Sequence, residues 1–199
     1  MRDLKIEFDE LGKYCSIVNG STPKTGNSEF WKGDIVWITP TDLGKNKSKY
    51  ISNSERKITE KGYNSSNTTI VKENNIILST RAPIGHIAIN SVPACTNQGC
   101  KTIIPNEKID SDFLYYFLRF NKEKLMDLGS GSTFKELSTA SLSSFKIPAI
   151  PIDEQKRIVK IIEEKFATVN KILKSINEQI ENLDAYSASI ISQAFQGKL

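Results

Sequence analysis

The sequence predicts an α+β fold, a mixed α/β domain over residues 1–150 followed by a single long coiled-coil helix over 151–199. Three observations carry that expectation. Short β-branched runs separated by turn signals fill the first three-quarters of the chain. Pro148 and Pro151 then interrupt the backbone, favouring extended conformation and forbidding a continuous helix through them. Beyond them, apolar residues recur in heptads with no Gly or Pro between residues 152 and 196.

In chain order, the strands are expected at 34–38, 75–79, 84–89 and 101–104, each rich in Ile, Val or Thr. Gly20-Ser-Thr-Pro23, Ala82-Pro-Ile-Gly85 and Gly129-Ser-Gly131 are the turn signals around them. A short helix is expected over 55–64. A longer one is expected over 111–128, where Phe113, Leu114, Phe117, Leu118, Leu125 and Met126 share a face and Gly129 ends the pattern. After the proline seam, Val159, Ile162, Phe166, Val169, Leu173, Ile176, Ile180, Leu183, Ser187, Ile190 and Ala194 alternate in steps of three and four. Such a helix, opened by Asp153 and Glu154, runs on the order of 60 Å at ~1.5 Å per residue. A compact domain of this size has a radius of gyration near ~15 Å, so the stripe is expected to find its partner in another chain. A single polar seam member, Ser187, leaves that stripe apolar along its length.

Composition excludes several classes. With 38% hydrophobic and 25% charged residues, the chain falls in the globular range. No apolar run nears the ~18 residues of a membrane span, and the opening residues are too charged for a signal peptide. Cys15, Cys95 and Cys100 lack metal-ligand spacing and are expected to be buried, reduced thiols of a cytoplasmic protein. The net charge of +4 is placed unevenly: residues 1–152 carry 20 Lys+Arg against 16 Asp+Glu, and the remainder is balanced. Lys45, Lys47 and Lys49 form a run without an acid, as a surface facing phosphates would.

Catalytic chemistry has no obvious seat. His86 is the only histidine and is expected to be structural, in a strand. The loop from Gly20 to Gly26 lacks the Gly-Lys-Ser/Thr ending of a phosphate loop. Neither an Asn/Asp-Pro-Pro-aromatic motif nor a glycine motif for S-adenosylmethionine occurs. Asp110 and Asp112 open a helix, where capping accounts for them. No metal site is expected.

Motifs in order along the whole chain carry a family resemblance. They are Leu11-Gly12 with Gly20-Ser-Thr-Pro-Lys24; Phe30-Trp-Lys-Gly-Asp-Ile-Val-Trp-Ile-Thr39 with Asp42-Leu43; Lys57-Ile-Thr-Glu-Lys-Gly62; and Ser79-Thr-Arg-Ala-Pro-Ile-Gly85 with Thr96-Asn-Gln-Gly99. Phe113-Leu-Tyr-Tyr-Phe-Leu118, Gly129-Ser-Gly-Ser-Thr133, Ile150-Pro-Ile-Asp-Glu-Gln-Lys-Arg-Ile-Val159 and Ala194-Phe-Gln-Gly-Lys-Leu199 complete the set. The chain resembles specificity subunits of type I restriction-modification systems. The resemblance implies a non-catalytic target-recognition domain for double-stranded DNA, similar to that of type II adenine methyltransferases, and a spacer helix that pairs antiparallel with another. It also implies two modification (methylase) subunits that bring S-adenosylmethionine, a translocating restriction subunit, and adenine methylation and restriction directed to a bipartite target. Complete subunits of the family hold two recognition domains and two spacers. One of each is present here, which leaves open a natural half-subunit or an excised fragment; a half-subunit is expected to pair through the helix with a second copy or with another half.

Within that framework the phosphate candidates are Lys24, Lys45, Lys47, Lys49 and Arg81, the last able to grip phosphate or guanine bidentately. Ser21, Thr22, Thr41, Gln98, Ser130, Ser132, Thr133 and Lys135 lie in loops beside the motifs and can exchange hydrogen bonds with DNA, although the same residue types also hold turns. The interface candidates on the helix are the ten apolar seam residues. The rival reading is a coiled-coil protein-interaction adaptor whose globular head does not bind DNA.

Overall fold

A computed structural model describes residues 6–81, 83–131 and 135–198. Its described strands are β1 (Phe8–Glu10), β2 (Cys15–Asn19), β3 (Trp31–Ile38), β4 (Tyr50–Ile51), β5 (Lys57–Ile58), β6 (Ile76–Ser79), β7 (Ile87–Asn90), β8 (Ala94–Thr96), β9 (Cys100–Pro105) and β10 (Lys146–Pro148). The helices are α1 (Pro40–Lys45), α2 (Glu60–Asn64), α3 (Ser111–Phe120), α4 (Lys122–Asp127), α5 (Thr139–Ser143) and α6 (Ile152–Phe195). The fold class is the expected α+β arrangement with one long C-terminal helix.

Three sheets organise the first unit. The largest has strand order β2-β9-β6-β7-β4, antiparallel except where β4 joins β7. Its central strand β6 is buried along its whole length, with Ile76, Ile77 and Leu78 fully enclosed. Burial on both faces is why Ile76, Ile77 and Leu78 follow one another as an unbroken apolar run rather than an alternating one. A second sheet, β5-β3-β8, pairs β3 parallel to β8 and antiparallel to β5. Between Trp31 and Ile35 the pairing of β3 to Ile58 shifts register, and Lys32 takes a left-handed φ of 65° within that bulge. β1 and β10 form a separate antiparallel ribbon.

Several elements depart from expectation for identifiable reasons. The helix expected over 111–128 is broken at Asn121, which sits outside helical geometry with ψ of 24°. The buried Asn121 side chain donates to the Phe117 carbonyl at 2.9 Å, which also accepts from the Asn121 amide at 3.1 Å. The helix expected over 55–64 begins only at Glu60, because Lys57 and Ile58 are taken into the sheet as β5 and Thr59 caps α2. His86 is not within a strand. It precedes β7, and its buried Nδ1 has no hydrogen-bond partner among the described residues.

Contacts divide the chain into two compact units, Met1–Lys156 and Arg157–Leu199. The first turn of α6 belongs to the first unit. Gln155 is 1% exposed; its side chain accepts from the Asp110 amide at 2.8 Å and donates to the carbonyls of Lys108 and Ile150. The second unit is the remainder of α6, a 44-residue helix of about 65 Å at ~1.5 Å per residue. No described helix is long and apolar enough to cross a membrane.

Candidate nucleic-acid interface

A network of hydrogen bonds gathers loops distant in sequence onto one surface. The amides of Gly20 and Ser21 donate to the carbonyls of Cys100 and Thr96, and the Thr22 hydroxyl donates to Gln98 Oε1. Gly20 is required by close approach: a Cβ there would lie 2.0 Å from the Asn97 carbonyl oxygen. From the other side of the 96–99 loop, the Thr80 amide donates to the Gly99 carbonyl and the Leu137 amide to the Thr80 carbonyl. Glu136 exchanges backbone hydrogen bonds with Ser130, and its carboxylate meets the Arg81 guanidinium at 2.7 Å. Ser21, Thr22, Gln98, Arg81, Ser130 and Lys135 are thereby brought to one connected loop cluster. Ser132 and Thr133, expected beside them, lie outside the described residues.

Thr41 joins this cluster through a cleft of about 390 Å³ that it lines with Thr39, Pro40, Arg56 and Asn97. α1, which carries Thr41, starts with a capping box. The Thr39 hydroxyl accepts from the Asp42 amide at 3.3 Å, and Asp42 Oδ2 accepts from the Thr39 amide at 2.9 Å. Asp42 Oδ1 also accepts from the Glu55 amide at 2.8 Å, tying the cleft's two walls together.

The lysine run behaves differently. Lys45 is paired with Glu55 at 2.5 Å, and that carboxylate raises its pKa above the usual lysine value. Lys49 is paired with Asp112 at 3.0 Å, its side chain only 15% exposed, with its ammonium over the rings of Tyr50 and Tyr116. The run is therefore divided between separate carboxylates rather than presented as one patch. Lys24, Lys47 and Lys135 are exposed, with no ion pair among the described residues.

Two cations at the cluster escaped sequence reasoning. Arg56 lays its guanidinium 3.6 Å above the Trp31 ring and 5.8 Å from that of Trp37, while lining the Thr41 cleft. Lys101 is buried in β9 and donates to Asn19 Oδ1 at 2.7 Å, which also accepts from the Thr139 hydroxyl. Burial lowers the Lys101 pKa, with Glu136 raising it and Arg81 lowering it further. No local pattern marks Arg56. A lysine inside the Lys101-Thr-Ile-Ile104 strand was the available signal for the second.

On α6, Phe166, Val169, Leu173, Ile176, Ile180, Leu183, Ile190 and Ala194 are exposed and Ile162 is partly so, whereas Val159 is buried. Ile172, Tyr186 and Ile191 widen the exposed stripe. Among the described residues there is no group of three or more His, Cys, Asp or Glu able to hold a metal ion.

Comparison with known proteins resolves what this arrangement belongs to. The model of the type I restriction modification DNA specificity domain matches residues 4–182. The chain belongs to that family. It is 40% identical over 169 residues to the type I restriction enzyme MjaIX specificity subunit of Methanocaldococcus jannaschii, covering 84% of this chain and 39% of that one. It is 31% identical over 184 residues to the EcoR124I/EcoR124II specificity subunit of Escherichia coli, covering 89% and 45%. The solved HsdS subunit from Thermoanaerobacter tengcongensis superposes with a TM-score of 0.73 at 21% identity, over 99% of this chain and 47% of that one. A chain of a type I R-M system superposes at 0.80 and 22% identity, over 99% and 48%. Both share the fold of this specificity domain. The chain spans less than half the length of these relatives.

Proposed function

We propose that this specificity domain is the DNA-reading half of a type I restriction-modification complex, recognising one part of a bipartite double-stranded target. The observation that carries the reading is the loop cluster itself. Thr22 with Gln98, and Arg81 with Glu136 and Ser130, lie far apart in sequence yet form one hydrogen-bonded surface on a domain of the specificity family. Exposed Lys24 and Lys135 hold phosphates and set register, while Arg81, Gln98, Thr22, Ser21, Thr41 and Ser130 reach base edges. Arg56 adds a guanidinium already oriented by stacking on Trp31.

In this reading the chain is non-catalytic. Two modification subunits dock on the helix and supply S-adenosylmethionine, a translocating restriction subunit completes the complex, and adenine methylation follows the sequence this domain selects. The exposed stripe of α6 closes against a second copy by two-fold symmetry, antiparallel, holding two recognition domains at the ends of a rod.

Binding of labelled duplexes, with modification subunits present and salt varied, tests the proposal. The expected result is sequence-selective binding whose logarithmic affinity falls linearly with the logarithm of salt, ~0.9 per phosphate contact. Methylome sequencing of a host carrying the protein should reveal a split adenine-methylated motif. Salt-independent behaviour without any new methylated motif would leave the adaptor reading standing instead.

A further inference from the structure

Arg56 stands between two clefts of the first unit. On one side it lines a cleft of about 390 Å³ with Trp37, Thr39, Thr41 and Asn97. On the other it lines one of about 500 Å³ with Trp31, Lys32, Gly33 and Lys57. Its backbone is tied to β3: the buried Ser54 hydroxyl accepts from the Trp37 amide at 3.0 Å and donates to the Arg56 carbonyl at 2.7 Å. The guanidinium lies 3.6 Å from the Trp31 ring centre and 5.8 Å from that of Trp37. These two buried rings meet edge to face, with centroids 5.1 Å apart. Each indole N–H is held by the loop from Gly20 to Gly26, Trp31 on the Lys24 carbonyl at 3.4 Å and Trp37 on the Ser21 carbonyl at 3.0 Å. Rings that cannot turn give the guanidinium above them one direction.

The carboxylates near this guanidinium are engaged elsewhere. Glu55, its chain neighbour, is paired with Lys45, and Asp42 accepts from the amides of Thr39 and Glu55. Among the described residues the Arg56 side chain makes no ion pair or hydrogen bond, so its N–H donors are unspent. Across the cleft, Asn97 Oδ1 accepts from the Gly99 amide at 3.0 Å, which leaves the side-chain nitrogen as a further donor. The cleft therefore suits a ligand that carries acceptors along one edge.

We infer that Arg56 is a specificity-determining residue that reads a guanine, its guanidinium fork taking the O6 and N7 acceptors while Trp31 and Trp37 hold its direction. The inference rests on the DNA-reading role proposed above and names the base that this part of the surface selects. Guanine is the base whose major-groove edge presents two acceptors side by side. Adenine presents an acceptor and a donor, cytosine a donor, and thymine an acceptor beside a methyl group. Phosphate also presents acceptors, but it demands charge rather than direction, and Lys32 and Lys57 supply charge on the other flank of Arg56. Arg81 differs, because its guanidinium must first leave Glu136.

The test uses the full chain bound to its modification subunits and duplexes carrying the motif it methylates. Replacing each guanine of the half-site in turn by 7-deazaguanine deletes the N7 acceptor and keeps base pairing and charge. At one position this should weaken binding by the parent about tenfold, whereas Arg56→Ala should bind the modified and unmodified duplexes equally. Arg56→Met, which still covers Trp31, guards against a folding defect and should behave as Arg56→Ala does. A half-site without guanine, or a parent indifferent to 7-deazaguanine throughout it, overturns the inference without any variant. If both variants bind every duplex more weakly by one factor, unrelated sequences included, and the salt slope falls by about one, Arg56 holds phosphate and the inference is overturned. If the variants still discriminate against the 7-deazaguanine duplex, another residue reads that base and the inference is overturned as well. A parent that does not prefer its motif to unrelated duplexes would remove the DNA-reading role itself, and the inference with it.

Discussion

Arg81 and Glu136 are joined twice, by an isolated antiparallel backbone bridge and by a side-chain ion pair of 2.7 Å. The bridge fixes where the guanidinium starts from, and the carboxylate holds it ready at the surface. The two side chains are 47% and 37% exposed, so solvent screens the pair and it contributes only ~0–1 kcal/mol to stability. A phosphate or a guanine edge can replace Glu136 at little energetic cost.

Arg81→Ala is accordingly expected to lower duplex affinity by ~1–3 kcal/mol while leaving thermal stability nearly unchanged. Glu136→Gln should act in the opposite direction, removing a negative charge that repels DNA. Fluorescence anisotropy at matched salt, with modification subunits present, reads both. Equal affinity for Arg81→Ala and the parent would exclude Arg81 from the contact surface.

Gly20 and Gly26 bracket the first loop and make a contrasting pair. A Cβ at Gly20 would collide with the Asn97 backbone, whereas nothing lies within 4 Å of one at Gly26. Backbone cannot yield as a flexible side chain does. Gly20→Ala is expected to push the loop off the 96–99 turn, costing ~1–3 kcal/mol and disrupting the Thr22–Gln98 hydrogen bond. Gly26→Ala should be neutral within ~0.5 kcal/mol. Chemical denaturation of both variants, with no difference between them, would contradict the close approach.

How far the molecule was legible in its sequence follows from the range of the interactions. The long helix was readable because heptad spacing is local, and strands β3, β6 and β9 because their β-branched runs are. α1 was missed, Thr41 being placed in a loop; the Thr39-x-x-Asp42 capping box was the signal overlooked. The apolar spacing over 111–128 runs through Asn121 without a Gly or Pro, so the division between α3 and α4 there was not read. The loop cluster was legible only as separate loops. Its defining contacts join Thr22 to Gln98, Arg81 to Glu136 and Arg56 to Trp31, and sequence spacing carries no information about them. The lysine run shows the same limit in reverse. Its three members are adjacent in sequence, yet Lys45 and Lys49 answer to different carboxylates.

The three thiols make stability depend on alkaline pH. Burial raises Cys15 from 9.0 to about 12 and Cys95 to about 11, and pushes Cys100 up as well. The folded state therefore keeps protons that the unfolded chain releases above pH 9.0. Stability is complete below that pH and declines as pH rises toward the folded values. Lys101, lowered by burial, acts with the opposite sign, but one ammonium opposes three thiols. Thermal melts between pH 8 and pH 10.5 should fall steadily, and Cys→Ala replacement at Cys95 and Cys100 should flatten the slope. A flat parent profile would show that these thiols meet solvent.

Under the antiparallel pairing proposed for α6, helix length sets the spacing between half-sites. Ile176→Asp and Ile180→Asp together put two charges into the seam and should leave a monomer in sedimentation, with the recognition domain's melting unchanged. Inserting seven residues after Ile176 keeps the heptad phase, so the antiparallel pair can still form. Each added residue extends a helix by ~1.5 Å, which lengthens the rod by about 10 Å, or about three base pairs at 3.4 Å each. The methylated half-sites should then separate by that amount while their sequences stay the same. An insertion of three residues instead rotates the seam out of phase and should abolish pairing. An unchanged gap in the seven-residue variant would mean that something other than this helix sets the distance between half-sites.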